Sequence, residues 1–166
     1  MFGKVTPKPP NTLLGVASLP EHEQEVVSLV REVAGDVLDE GKATLEVEPS
    51  DGRRPTLCEL RPVSADASPL TLQLDSPEQV TLYLGRFGTT CELYRTKRPQ
   101  LLDDVELFVR GVVDGRYSES VRLSRGKLGR ARGELQTANG PIRFSYSALW
   151  TLGRRAAWQR LTYSAY

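Results

Sequence analysis

The chain has 166 residues, of which 39% are hydrophobic and 26% charged, and its formal net charge is +1. This length fits one domain, and this composition excludes a disordered chain. No apolar run approaches the roughly 18–20 residues of a membrane span, and residues 1–11 lack the apolar centre of a secretory signal. We therefore expect a cytoplasmic protein without a membrane partner, made of a flexible proline-rich tail over residues 1–11 and a single domain over residues 12–166.

The two parts of the chain differ in charge. Residues 1–115 carry 12 Lys/Arg and 19 Asp/Glu, whereas residues 116–166 carry 10 and 2. This contrast survives in space only if the two parts form separate surfaces, because a mixed strand order within one sheet would neutralise it.

The first predicted element is an amphipathic helix over residues 20–40. Its apolar residues recur at three- and four-residue steps from Val26 to Leu38, and its other face is acidic. Ser18 and Glu21 have the spacing of a capping box, which predicts the start of the helix.

Five short strands are predicted next, because apolar residues alternate with a period of two from residue 43 to residue 93. Tight turn signals between them, such as residues 85–88, indicate an antiparallel meander. Cys58 and Cys91 fall within these strands and are too few for a disulfide scaffold or a four-ligand zinc site. We interpret them as buried free thiols, with a bridge between them as the alternative.

A second amphipathic helix is predicted between Pro99 and Gly115, and its broad apolar stripe indicates a helix lying flat on a sheet. The chain then returns to strands. Asn139 and Gly140 favour a type I′ hairpin turn, and Pro141 indicates that the following strand pairs from Ile142. The fold class is therefore α+β: a largely antiparallel sheet of about eight strands with two amphipathic helices packed on it.

The residues able to carry catalysis form no recognisable site. The one histidine, His22, lies among glutamates in the first turn of the first helix, and the helix carboxylates suit a solvated face. Residues 126–130 lack the full phosphate-loop pattern and are better explained as a loop between antiparallel strands. We expect no enzyme activity, no metal and no cofactor. An orphan enzyme or ligand-binding domain, with a pocket beneath the second helix, is the third hypothesis.

The basic residues of the last third are the main functional candidates. The set comprises Arg122, Arg125, Lys127, Arg130, Arg132 and Arg143. Placed on neighbouring strands, such side chains would add up to salt-sensitive phosphate binding. No aromatic residue lies among residues 122–132 to stack on bases, so a basic outward face that meets an acidic protein is favoured over nucleic-acid binding.

Four further residues are candidate contacts for a partner. Arg86 and Phe87 lie in the predicted hairpin connection at residues 85–88, where Phe87 either plugs the turn or is exposed as a contact. Tyr163 and Tyr166 belong to an aromatic C-terminal stretch, and aromatic side chains are enriched at binding hot spots.

Three stretches resemble small actinobacterial immunity-like proteins that partner polymorphic toxins. They are VTLYLGRFGTTCELY at residues 80–94, FVRGVVDGRYSE at residues 108–119 and the aromatic finish at residues 161–166. The resemblance implies a single-domain α+β protein that binds a cognate toxin and occludes its active site. Our first hypothesis is thus a non-enzymatic protein-binding domain of the immunity type, ahead of a nucleic-acid-binding accessory protein.

Overall fold

A computed structural model describes residues 13–124, 127–147 and 158–166, so the tail predicted for residues 1–11 lies outside the described residues. The helices are a short 3-10 helix at Leu13–Ser18, α1 at Glu21–Val33, α2 at Gly35–Asp39 and α3 at Arg98–Val113. The strands are β1 Ala43–Glu48, β2 Thr56–Pro62, β3 Leu70–Ser76, β4 Gln79–Leu84, β5 Thr89–Tyr94, β6 Tyr117–Ser124, β7 Lys127–Thr137, β8 Gly140–Ser147 and β9 Trp158–Thr162.

The first predicted helix is confirmed, but it is broken in two. A turn at Ala34 (φ −95°, ψ 7°) separates α1 from α2. Gly35 follows the turn, and glycine is a poor helix former, costing about 1 kcal/mol relative to alanine. The predicted capping box is wrong, because the N-cap residue is Pro20 and it makes no side-chain cap.

The predicted meander is confirmed as a five-stranded antiparallel sheet in the order β1-β2-β3-β4-β5. One row across it runs Val47, Cys58, Leu72, Leu82 and Cys91. Cys58 and Cys91 are therefore three strand spacings apart, about 14 Å, which is too far for a disulfide. Both are free thiols, Cys58 buried and Cys91 partly buried.

The remaining strands form a second antiparallel sheet in the order β8-β7-β6-β9. The loop predicted over residues 126–130 is wrong for Lys127–Arg130, which begin β7. Gly129 is the extra residue of a bulge, since Arg122 pairs with Arg130 but Leu123 pairs with Leu128. A bulge lets strand pairing continue through a glycine-rich stretch, which period alone does not reveal.

The predicted hairpin between β7 and β8 is present, but its turn starts one residue early. Thr137 pairs with Gly140, so Ala138 and Asn139 form the two-residue loop. β8 begins at Gly140 instead of Ile142, with Pro141 opposite Gln136. Because β8 is an edge strand of its sheet, the missing N–H of Pro141 breaks no required ladder bond.

Helix α3 packs on a sheet surface, as its broad apolar stripe predicted, and it contacts strands of both sheets instead of one. Its buried side chains are Leu101, Val105, Phe108, Val109 and Val112. The Phe108 ring lies 5.8 Å from that of Phe144 on β8. Among the described residues, no helix has both the length and the apolar character needed to cross a membrane.

Candidate binding face on the second sheet

One face of the second sheet carries five arginines. Arg122 pairs with both Arg130 and Trp158, and Ser120 pairs with both Arg132 and Arg160. Ser118 pairs with Glu134, which in turn pairs with Arg143. Directly paired residues project from the same side of a sheet. We call the resulting surface the arginine face; it consists of Arg122, Arg130, Arg132, Arg143, Arg160, Glu134 and Trp158.

The arginine face points to solvent. Arg130, Arg132, Arg143 and Arg160 are exposed, and Arg122 is half-buried. Among the residues that alternate with them, Tyr117, Val121, Ala131 and Leu135 are buried, and Phe144 and Leu161 are partly buried. The sheet therefore has one apolar side against the core and one cationic side open to a partner.

Glu134 links the arginines of the two edge strands. Arg143 Nε on β8 donates to Glu134 Oε2 at 2.8 Å, and Arg160 on β9 lies 3.7 Å from Oε1. Gln136 Nε2 also donates to Oε1 at 2.7 Å. The hydrogen bond from Arg143 lowers the pKa of the Glu134 carboxyl, so Glu134 is ionised at neutral pH.

Trp158 brings an aromatic ring into the arginine face. The Arg132 guanidinium carbon lies 4.5 Å from the centre of the Trp158 ring, in the geometry of a cation–π contact. Sequence reasoning did not place Trp158 or Arg160 in this site. No periodic signal was available, because apolar and polar side chains do not alternate over residues 158–162 (WQRLT).

A depression of about 420 Å³ lies on the arginine face. Ser118 and Ser120 of the central strand β6 contribute to its lining, together with the longer side chains of Arg132, Arg143 and Arg160. Hydroxyl groups and guanidinium groups are hydrogen-bond donors, so this lining suits oxygen anions.

The structure brings together four of the predicted contact residues, namely Arg122, Arg130, Arg132 and Arg143. Arg125 lies outside the described residues. Lys127 begins β7, where its backbone pairs with Ser124. The remaining four predicted residues lie away from the arginine face: Arg86 and Phe87 in the turn between β4 and β5, and Tyr163 and Tyr166 after β9, near the opposite, core-facing side of the sheet.

Glu119 organises that opposite side. It is 1% exposed and accepts hydrogen bonds from the Arg86 N–H at 2.9 Å and the Thr89 hydroxyl at 3.0 Å. The Tyr163 hydroxyl also donates to its carboxylate. Through these bonds β6 holds the turn at residues 85–88, where Arg86 is exposed and Phe87 is half-buried.

The two C-terminal tyrosines lie in or against the core, and the burial of Tyr163 corrects its assignment as a partner contact. Tyr163 is 6% exposed and stacks at 5.7 Å on Tyr117. The Tyr166 hydroxyl donates to the Ser68 carbonyl, and the Tyr166 N–H donates to the Val113 carbonyl at 3.0 Å. Aromatic residues near a chain end are also typical of binding hot spots, but these two rings pack in the space between the sheets.

The two cysteine thiols and two of the core tyrosines are held in their protonated forms. Burial raises the pKa of Cys58 to about 12 and that of Cys91 to about 11, so both thiols stay protonated at neutral pH. Burial likewise raises the pKa of Tyr117 and Tyr163. Within the part of the chain that the structure describes, no three His, Cys, Asp or Glu side chains gather as metal ligands. The chemistry offered by the arginine face is anion binding.

A comparison with models of protein families found no match for this chain, and comparisons with curated proteins and with solved structures found none either. The family resemblance therefore stays a prediction.

Proposed function

We propose that the protein is a non-enzymatic binding domain whose arginine face docks on an acidic surface of another protein. The observation that carries the proposal is an open sheet face with five arginines and one carboxylate. The planar guanidinium group matches carboxylates in a two-point hydrogen-bonded geometry, and complementary charge gives specificity and fast association.

The position of Glu134 favours a protein partner over nucleic acid. A continuous phosphate backbone crossing the arginine face would meet this ionised carboxylate between Arg143 and Arg160. Like charges repel at such distances, whereas a protein surface can place a neutral or cationic group there. In addition, Arg132 stacks on the Trp158 ring that a base would need.

The most concrete form of the proposal is an immunity-type inhibitor that binds a cognate toxin and blocks its active site. The resemblance of residues 80–94 and 108–119 to immunity-like proteins supports this form. It assigns the protein to the cytoplasm, where a toxin would have to be neutralised.

Coexpression with the product of the neighbouring gene tests the proposal. We expect a complex on size-exclusion chromatography whose dissociation constant rises at least about tenfold when Arg130 and Arg132 are both changed to Glu. Arg53→Glu combined with Arg54→Glu is the matched control, since both side chains are exposed outside the arginine face. Failure to form a complex, or a complex that is insensitive to the face variant, would contradict the proposal.

Nucleic-acid binding is the second candidate, and Trp158 is the observation that favours it. An exposed aromatic ring beside arginines can stack on a base. Binding of the oligonucleotide (dT)12 that weakens steeply with salt and is lost on Trp158→Ala would favour this candidate over the first.

A further inference from the structure

We propose that the depression on the arginine face is a preformed subsite for a carboxylate side chain of the partner, and that Glu134 is a positioning residue that fixes Arg143 and Arg160 around it. This inference deepens the proposed function and rests on it.

The floor of the subsite is set by the small side chains of β6. Ser120 lies between its strand neighbours Arg132 on β7 and Arg160 on β9, and both are much longer than serine. The depression of about 420 Å³ is within the range of pockets that hold small ligands. An acidic side chain can therefore enter between the guanidinium groups and reach the serine hydroxyls.

The arginines that wall the subsite contact neighbouring side chains before any partner arrives. Arg160 is within 3.4 Å of the Ser118 hydroxyl and 3.7 Å of Glu134, and Arg143 donates to Glu134 at 2.8 Å. Arg132 is stacked on Trp158. Contacts made in advance lower the conformational entropy that these long side chains lose on binding. The free-energy cost of ordering one such side chain is comparable to the free energy of a weak hydrogen bond.

Glu134 also shows which chemistry the arginines accept, because it is itself a carboxylate bound by two of them. A phosphate dianion would be repelled more strongly by Glu134 than a single carboxylate would. We therefore assign an acidic peptide segment of the partner protein as the occupant.

Glu134→Gln should change anion binding in opposite directions depending on whether Glu134 positions the arginines or only adds a negative charge. If the arginine face acts only through its net charge, Glu134→Gln adds one positive charge and tightens anion binding, by about twofold. If Glu134 positions the arginines, the same change weakens binding by about fivefold or more, because the guanidinium groups lose their orientation. The probe is a fluorescein-labelled hexaglutamate peptide at low ionic strength, and the readout is fluorescence anisotropy with the full chain.

Matched variants separate the subsite from general electrostatics. Glu48→Gln makes the same charge change at an exposed position on β1 and should alter the dissociation constant less than about twofold. Ser120→Val fills the floor without changing charge and should weaken hexaglutamate binding about fivefold, with an unchanged melting temperature confirming folding.

Three results would each overturn the subsite: tighter binding by Glu134→Gln, no effect of Ser120→Val, or stronger binding of (dT)12 than of hexaglutamate. If the neighbouring-gene complex still depends on Arg130 and Arg132 in that case, the proposed function stands while the subsite fails. If that complex is insensitive to the face variant, both fail.

Discussion

Glu119 illustrates at the residue scale what sequence can and cannot supply. It lies on the same side of β6 as Tyr117 and Val121, the buried side, where a carboxylate is rarely found unless it is paired. Its three donors come from Arg86, Thr89 and Tyr163, which are 33, 30 and 44 residues away in the chain. Partners so distant leave no local pattern in the sequence. Periodicity therefore indicates the side of β6 on which Glu119 lies, but not the groups that donate hydrogen bonds to it.

Because of Cys58, the stability of the fold depends on pH in the alkaline range. Its pKa is about 12 in the folded protein against 9.0 as the reference, because burial penalises the thiolate. The stabilisation is complete below pH 9 and is lost as the pH rises towards 12, since only the unfolded chain ionises there. We expect ionisation of the Cys58 thiol in the unfolded chain to lower the free energy of unfolding by about 1.4 kcal/mol between pH 8 and pH 10.

Urea unfolding of the wild type and of Cys58→Ala at both pH values measures this contribution. The variant loses a constant amount from its smaller side chain, about 1 kcal/mol, at either pH. Ionisation of Tyr117, Tyr163 and Tyr166, whose pKa values burial also raises, affects both proteins alike. Equal pH dependence in the two proteins would show that the thiol does not act in this way.

At the scale of elements, periodicity predicted the two main helices and the five-stranded meander, because each shows one apolar side facing the core. It could not predict that the later strands form a sheet of their own, since strand partners depend on tertiary packing that the period of a single strand does not encode. The same limit applies to the candidate site. Arg122, Arg130, Arg132 and Arg143 were predicted from composition, whereas Arg160 and Trp158 depend on β9 pairing with β6.

The turn between β4 and β5 depends on close contact with the second sheet. Gly85 has φ 75°, and a Cβ atom added there would lie 2.6 Å from the Glu119 carboxyl group. Gly85→Ala should therefore lower the free energy of unfolding by about 2–4 kcal/mol, through backbone strain and displacement of Glu119. Thermal and urea unfolding followed by circular dichroism measure the loss.

Gly88→Ala is the control within the same turn. Gly88 has φ 62°, but none of the described atoms lies within 4 Å of an added Cβ. This variant carries the backbone penalty alone, about 1 kcal/mol. Equal losses for the two variants would mean that the contact with Glu119 contributes nothing.

For the whole molecule, the charge contrast in the sequence becomes a contrast between sheets. The strands of the first sheet lie between residues 43 and 94, in the acidic part of the chain, and those of the second lie between residues 117 and 162, in the basic part. No strand of the described sheets crosses from one to the other. The arginine face therefore keeps its positive potential, which favours oriented approach of an acidic partner.

The two sheets are joined by polar contacts as well as by α3. Besides the Glu119 bonds, the Ser164 N–H donates to the Asp66 carbonyl at 3.0 Å, and the Tyr166 N–H reaches α3 at Val113. The Glu119 cluster is buried, and a buried polar network loses much of its stability when one member is removed. The oppositely charged halves should consequently unfold as one unit.

Glu119→Ala tests that coupling. It leaves the Thr89 and Tyr163 hydroxyls without their buried acceptor and removes one of the two acceptors of the Arg86 N–H, so we expect a loss of about 3–5 kcal/mol in the free energy of unfolding. Glu119→Gln retains one acceptor oxygen and should lose about half as much, while Glu92→Ala, at an exposed position on β5, should stay within about 0.5 kcal/mol.

Circular dichroism reports both sheets, whereas both tryptophans lie in the second half of the chain. The midpoints from circular dichroism and tryptophan fluorescence should coincide in the wild type and fall together in the variant, because the carboxylate serves both sheets. A variant in which the fluorescence midpoint falls while that of circular dichroism stays would show that Glu119 stabilises the second sheet alone.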